Sequence, residues 1–139
     1  MSYLLDTNVI SELRKGERAD AKVTAWFADV AEEEIFLSVL TIGEIRRGIE
    51  SVRRRDLDSA ATLDRWLARL SEAHGHRVLP IDDVIAEEWG RMNVPDPLPV
   101  VDGLLAATAR VLGLTLATRN VADVEGTGVE LFNPFADQQ

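Results

Sequence analysis

Four acidic side chains of this sequence stand where short apolar runs give way to amphipathic ones. Asp6 follows Tyr3-Leu4-Leu5 and precedes Thr7-Asn8, Glu44 lies within Ser38-Val-Leu-Thr-Ile-Gly-Glu44-Ile45, and Asp102 follows the proline-rich stretch Val94-Pro-Asp-Pro-Leu-Pro99. Asp123 closes Ala117-Thr-Arg-Asn120-Val-Ala-Asp123, with Asn120 one helical turn before it. Three carboxylates drawn together would repel by about 4 kcal/mol per pair at ~4 Å and an effective dielectric of ~20. A cation therefore belongs among them. With no His or Cys in the set, the donors are all oxygen, which suits a hard ion such as Mg²⁺ or Mn²⁺. Such an ion lowers the pKa of a bound water and stabilises charge on a phosphate under attack.

Each residue also has a plainer reading. Asp6, with Thr7 and Asn8 behind it, is a good helix N-cap. Glu44 sits about 120° from the centre of its helix's apolar stripe, at ~100° per residue, and would serve as a solvated glutamate favourable to the helix dipole. Asp102 opens an otherwise apolar helix, where a cap explains it. Thr118, Asn120 and Asp123 are ordinary turn residues taken singly. Their joint position at strand-to-helix junctions is the informative part, because a parallel sheet gathers such junctions beyond the carboxyl ends of its strands.

The elements that would position these acids alternate as βα units do. Strands are expected at Tyr3 to Leu5, Ile35 to Ser38, Val78 to Ile81, Leu114 to Ala117 and Val129 to Phe132. Helices are expected on the stripes Val23/Trp26/Phe27/Val30, Ile42/Ile45/Ile49/Val52 and Ile85/Trp89/Met92, with a longer one from about Asp56 to Ala73 through Leu63, Trp66, Leu67 and Leu70. Pro99 suits the first turn of a helix over Val100 to Leu112, apolar on nearly all sides and stopped by Gly113. The expected fold class is α/β, on a central parallel sheet of about five strands.

At 139 residues the chain is read as one domain spanning 1–139, since domains cluster at ~100 to 150 residues. Hydrophobic residues make up 46% of it, enough to build a core without staples, and the absence of Cys removes disulfides, a thiolate nucleophile and Cys-rich zinc sites. The N-terminus carries no basic region before an apolar stretch, and no segment reaches the ~20 apolar residues of a membrane span, so a cytoplasmic protein without membrane contact is expected. A net charge of −9 argues against gripping nucleic acid through a broadly basic surface. Carboxylates converging on a metal would soften that objection, because the ion neutralises them.

These residues resemble a known family. Tyr3-Leu-Leu-Asp6-Thr-Asn-Val-Ile-Ser-Glu-Leu13 is similar to the opening motif of PIN-domain ribonucleases, in particular the VapC toxin branch of bacterial toxin-antitoxin pairs and the FitB-like proteins. Glu44 falls on the second acid of that pattern and Asp102 on the third, and Thr118-Arg-Asn-Val-Ala-Asp123 resembles the closing motif. The resemblance spans nearly the whole chain. It implies a PIN-like α/β/α sandwich and metal-dependent hydrolysis of RNA, with Asp6, Glu44 and Asp102 as ligands of Mg²⁺ or Mn²⁺ and Asn120 and Asp123 completing the site. It further implies a homodimer restrained by a cognate antitoxin, with DNA contacted only through that antitoxin. One departure concerns the fourth acid, which many relatives place immediately after the last core strand, where this chain has Asn120. A single ion held on Asp6 and Asp102 is the corresponding expectation, a second arriving with the RNA phosphate.

Two other classes compete. A catalytically weak PIN-like binding subunit would use the acids only as caps. A phosphatase with an aspartyl nucleophile would want a second Asp two residues after Asp6, where Asn8 stands. His74 and His76 fall in a helix-to-strand loop at the opposite sheet edge, and Glu32-Glu33-Glu34 reads as a solvated helix end. Arg46, Arg47, Arg53, Arg54 and Arg55 form the dense basic patch, either solvated surface or a phosphate-guiding strip.

Overall fold

The computed structural model describes residues 1–137. Five short strands, β1 (Tyr3–Leu5), β2 (Ile35–Ser38), β3 (Val78–Leu79), β4 (Thr115–Ala117) and β5 (Leu131–Phe132), pair in the order β3-β2-β1-β4-β5. Every pairing is parallel. The chain winds outward from β1 in one direction and then from β4 in the other, so the strand order reverses between β1 and β4.

Side chains alternate across the sheet, and that alternation sorts the helices into two layers. Leu5, Ile35, Leu37 and Ala117 face a layer of α1 (Thr7–Leu13), α2 (Ala21–Ala28), α3 (Val39–Arg53) and α4 (Leu57–His74). Leu4 and Leu116 face the other layer, with α6 (Val100–Leu112) and the short α7 (Val121–Val124), while α5 (Asp83–Met92) packs on α6. Leu4, Leu37 and Leu105 are fully buried, each such side chain stabilising the fold by about 1.5–3 kcal/mol through lost apolar surface. The result is the expected α/β/α sandwich.

Three strands are shorter than their apolar runs predict. β3 stops at Leu79 because Pro80 has no N–H to continue a ladder. Leu114 drops out of β4 because its N–H closes α6 on Ala109 O at 2.9 Å, behind Gly113 in the left-handed region at φ 68°. Val129 is held out of β5 by its N–H bond to Thr127 Oγ1, in a turn where Gly126 and Gly128 take positive φ. Pro99 stands one place earlier than expected, at the N-cap of α6 with φ −53° and ψ 135°. Helix α6 is largely buried through Leu105 to Ala109, although Val100 and Leu112 at its ends are exposed. The Glu32–Glu34 run forms a 3₁₀ turn before β2, where Glu34 accepts from the Ser2 hydroxyl.

Candidate active site at the strand-order reversal

Asp6 ends β1, and its N–H still bonds Ala117 O at 2.9 Å, so the residue stands in register with the end of β4. It is buried and triply held. Oδ1 accepts from Thr7 N at 2.7 Å, while Oδ2 accepts from Thr118 Oγ1 at 2.7 Å and from Asn8 Nδ2 at 3.2 Å. Asp6, a candidate site residue, is also the N-cap of α1.

The other acids arrive from separate elements. Ser38 ends β2 and caps α3 by accepting from Leu40 N at 3.0 Å, which launches the helix that carries Glu44. Glu44 Oε1 accepts from Thr7 Oγ1 at 2.6 Å, so it is tied to the same N-terminus that Asp6 caps. Asp102 lies in the first turn of α6, behind a cap, Pro99, that has no side-chain hydrogen bond to offer. Its half-buried carboxylate accepts no hydrogen bond among the described residues, so the capping explanation fails for it. Asn120 is the N-cap residue of α7, without a side-chain capping bond, and its main-chain N–H donates to Thr118 Oγ1 at 2.9 Å. Asp123, exposed in the first turn of α7, donates its N–H to Asn120 O at 3.1 Å, so that turn is helical.

Electrostatics link what the hydrogen bonds do not. Burial pushes the Asp6 carboxyl above its ordinary range and the nearby Glu44 adds to the shift, outweighing the bonds from Thr118, Thr7 and Asn8 that lower it. Burial also raises Asp102, followed by repulsion from Asp6, Asp123 and Glu44. Asp102 is thus the residue on which the fields of all three other acids fall. Among the described residues no three His, Asp or Glu side chains stand close enough to hold an ion in the rotamers seen. The donor set is nevertheless all oxygen and short of positive charge, which is the chemistry that fits a hard divalent cation.

Several features lay beyond sequence reasoning. Thr118, a turn residue by composition, is 1% exposed and bonds both Asp6 and Asn120. Thr7 joins Asp6 to Glu44, and its place directly after Asp6 was the available signal. Gly103 beside Asp102 is also informative, because a Cβ there would lie 3.1 Å from Trp89 Nε1 and 3.3 Å from Leu98 Cβ. Residues Thr7, Ser11, Arg14, Ile49 and Trp66 line a groove together with Glu44. Within the basic patch, Arg46 and Arg53 are committed to Glu50 and Asp64 across α3 and α4, with bonds as short as 2.7 Å. That leaves Arg47, Arg54 and Arg55 without an ion-pair partner among the described residues.

Three of the acids come from segments that follow a strand, Asp6 after β1, Glu44 in the helix after β2 and Asp123 after β4. Asp102 instead opens a helix that follows α5 and not a strand, contrary to the expectation of four strand-to-helix junctions. A parallel α/β/α sandwich with this set defines a class of small acid-site domains. The chain belongs to the PIN-domain family, whose model matches residues 3–122, and within it to the VapC/FitB-like branch. It is 30% identical to Toxin FitB of Neisseria gonorrhoeae, over 96% of this chain and 99% of the relative. It is 34% identical to VapC ribonuclease Y4jK of Sinorhizobium fredii, over 95% of this chain and 96% of the relative. Its fold superposes on the crystal structure of FitAcB from Neisseria gonorrhoeae with a TM-score of 0.88 at 29% identity, covering 96% and 98% of the two chains.

Proposed function

We propose that the chain is a metal-dependent endoribonuclease and the toxin member of a toxin-antitoxin pair, with Asp6, Glu44 and Asp102 as its metal-holding residues. The observation that carries this reading is the Asp102 carboxylate, half-buried, without a hydrogen bond among the described residues, and repelled by three other acids. Such a group has no structural task to explain its cost. Mg²⁺ or Mn²⁺ bound there would neutralise the cluster, activate a water and offset charge on the scissile phosphate. The chain's own residues supply the rest. Thr118 and Thr7 fix the Asp6 and Glu44 carboxylates in place, Asn120 presents an uncharged oxygen dipole, and Asp123 adds charge from the α7 side. Kinship with a protein named VapC ribonuclease supports the choice of RNA as substrate.

Asp6→Asn and Asp102→Asn are expected to abolish Mg²⁺-dependent cleavage of RNA by the purified chain while leaving its circular dichroism unchanged. Wild-type activity in either variant would overturn the three-acid site. The neutral Asn120 favours the second reading, a catalytically weak binding subunit. A wild-type chain that cleaves no RNA in Mg²⁺ or Mn²⁺, yet binds a partner, would establish that reading instead.

The same proposal includes a homodimer held in check by an antitoxin whose basic segment is drawn to a chain of charge −9, with DNA reached only through that partner. It places the protein in the cytoplasm. Among the described residues no helix is long and apolar enough to cross a membrane. Light scattering and co-purification with the product of the neighbouring reading frame test the assembly. A strict monomer that this product leaves uninhibited would refute it.

A further inference from the structure

Arg119 follows Thr118, the residue that bonds Asp6, and no carboxylate among the described residues pairs with its guanidinium. Its guanidinium carbon lies 3.7 Å from the ring centroid of Phe135, so the planar group is stacked on an aromatic shelf. Among the described residues it has no ion-pair partner, although acids outnumber bases by 24 to 15 in the whole chain. Glu12 is near enough for its charge to be felt by Arg119. The Glu12 carboxylate, however, is taken by Lys15 Nζ at 3.0 Å and by Asp20 N at 2.8 Å.

Two hydrogen bonds tie the main chain at this position to Asp6. Arg119 N donates to Asn8 Oδ1 at 3.2 Å, and Asn8 Nδ2 donates to Asp6 Oδ2 at 3.2 Å. On the other side, the neighbouring Thr118 donates its hydroxyl to Asp6 Oδ2 at 2.7 Å. The shelf is equally fixed, because Phe135 packs against the buried core of the α1–α4 layer and its N–H bonds Asn133 Oδ1 at 2.9 Å. Phe135 also lies beyond residues 3–122, the part of the chain matched by the PIN model. Stacking one face of a guanidinium on a ring restricts its rotamers and leaves the N–H fork at its edges free for a bidentate anion.

We infer that Arg119, shelved on Phe135, contacts an RNA phosphate flanking the scissile one and so seats the strand against an acid cluster that would otherwise repel it. The inference rests on the ribonuclease reading. The phosphodiester backbone of single-stranded RNA is the ligand chemistry, and a contact of this kind contributes to ground-state binding more than to the chemical step.

The test is steady-state cleavage of a single-stranded RNA oligonucleotide in Mg²⁺ at several salt concentrations, for wild type, Arg119→Gln, Arg119→Lys and Phe135→Leu. Arg119→Gln should raise KM about 5- to 10-fold with kcat within about twofold. Its plot of log kcat/KM against log salt should flatten by about 0.7, the contribution of one phosphate contact to a single strand. Arg119→Lys and Phe135→Leu keep the charge, so they should keep the wild-type slope while raising KM about two- to threefold. An Arg119→Gln variant with wild-type KM and slope, whatever its melting temperature, would show that Arg119 only clamps the C-terminal segment. If that variant does not fold, wild-type KM in both Arg119→Lys and Phe135→Leu overturns the inference instead. A wild-type chain that cleaves no RNA removes the ribonuclease reading itself, and this inference with it.

Discussion

Thr118 Oγ1 and Asp6 Oδ2, 112 residues apart in sequence, are joined by a 2.7 Å hydrogen bond across the point where the strand order reverses. The bond is buried and polar, and Thr118 Oγ1 also receives the N–H of Asn120. One hydroxyl therefore locks the carboxylate at the end of β1 to the loop that leads into α7.

Thr118→Val keeps the shape and removes this lock. Leaving a buried carboxylate oxygen with only its longer bond from Asn8, and a main-chain N–H without its acceptor, should cost about 1–3 kcal/mol. The Asp6 carboxyl should move further above its ordinary range, since the Thr118 bond is what most opposes that shift. RNA cleavage is expected to fall at least about tenfold, corresponding to about 1.4 kcal/mol, and Thr118→Ser should restore most of it. Chemical denaturation and initial rates measure the two effects. A fully active Thr118→Val protein would show the bond to be incidental.

The raised Asp6 and Asp102 carboxyls have a definite consequence for stability against pH. A raised value means the folded state binds the proton more tightly than the unfolded state. These groups therefore weaken the metal-free fold progressively as pH rises from the ordinary carboxylate value of ~3.9 through the raised one. Asp102→Asn removes one such charge and should raise the melting temperature in EDTA at pH 7 by about 2–4 °C. The gain should vanish as pH falls below ~3.9, where both states of the wild type are protonated. Scanning calorimetry of wild type and variant from pH 3 to pH 7 would follow it, and a pH-independent difference would point to packing instead.

Gly103→Ala probes how α6 presents Asp102. An added methyl would press on the Trp89 indole and on Leu98 at 3.1–3.3 Å. Overpacking of this kind costs about 1–3 kcal/mol, against about 1 kcal/mol regained from helix propensity. The balance predicts a melting temperature lowered by up to about 6 °C and reduced cleavage, because Asp102 is the preceding residue. A melting temperature at or above that of wild type would mean that Trp89 gives way freely.

The elements were legible in the sequence because each depends on local pattern. Short apolar runs mark β1 and β2 to the residue, stripes at helical spacing mark α3 and α4, and a run apolar on nearly all sides between Pro99 and Gly113 marks α6. Asp6, Glu44 and Asp102 could be singled out because residue type and place at a strand end or in a helix's first turns are also local properties. The absence of His and Cys among them was enough to specify oxygen donors. Strand ends were misjudged where local chemistry competed, as at Pro80 and at Leu114, whose N–H the helix takes first.

Only the tertiary structure decided what meets what. That β4 lies beside β1 is visible only in the packed sheet, because periodicity carries no strand order. The same holds for the Thr118–Asp6 bond, for the removal of Arg46 and Arg53 into pairs with Glu50 and Asp64, and for the ring of Phe135 beneath Arg119. Apolar pattern states which side of an element is buried. The partner of a polar side chain is set by distances across the fold, which exist only once the layers have packed.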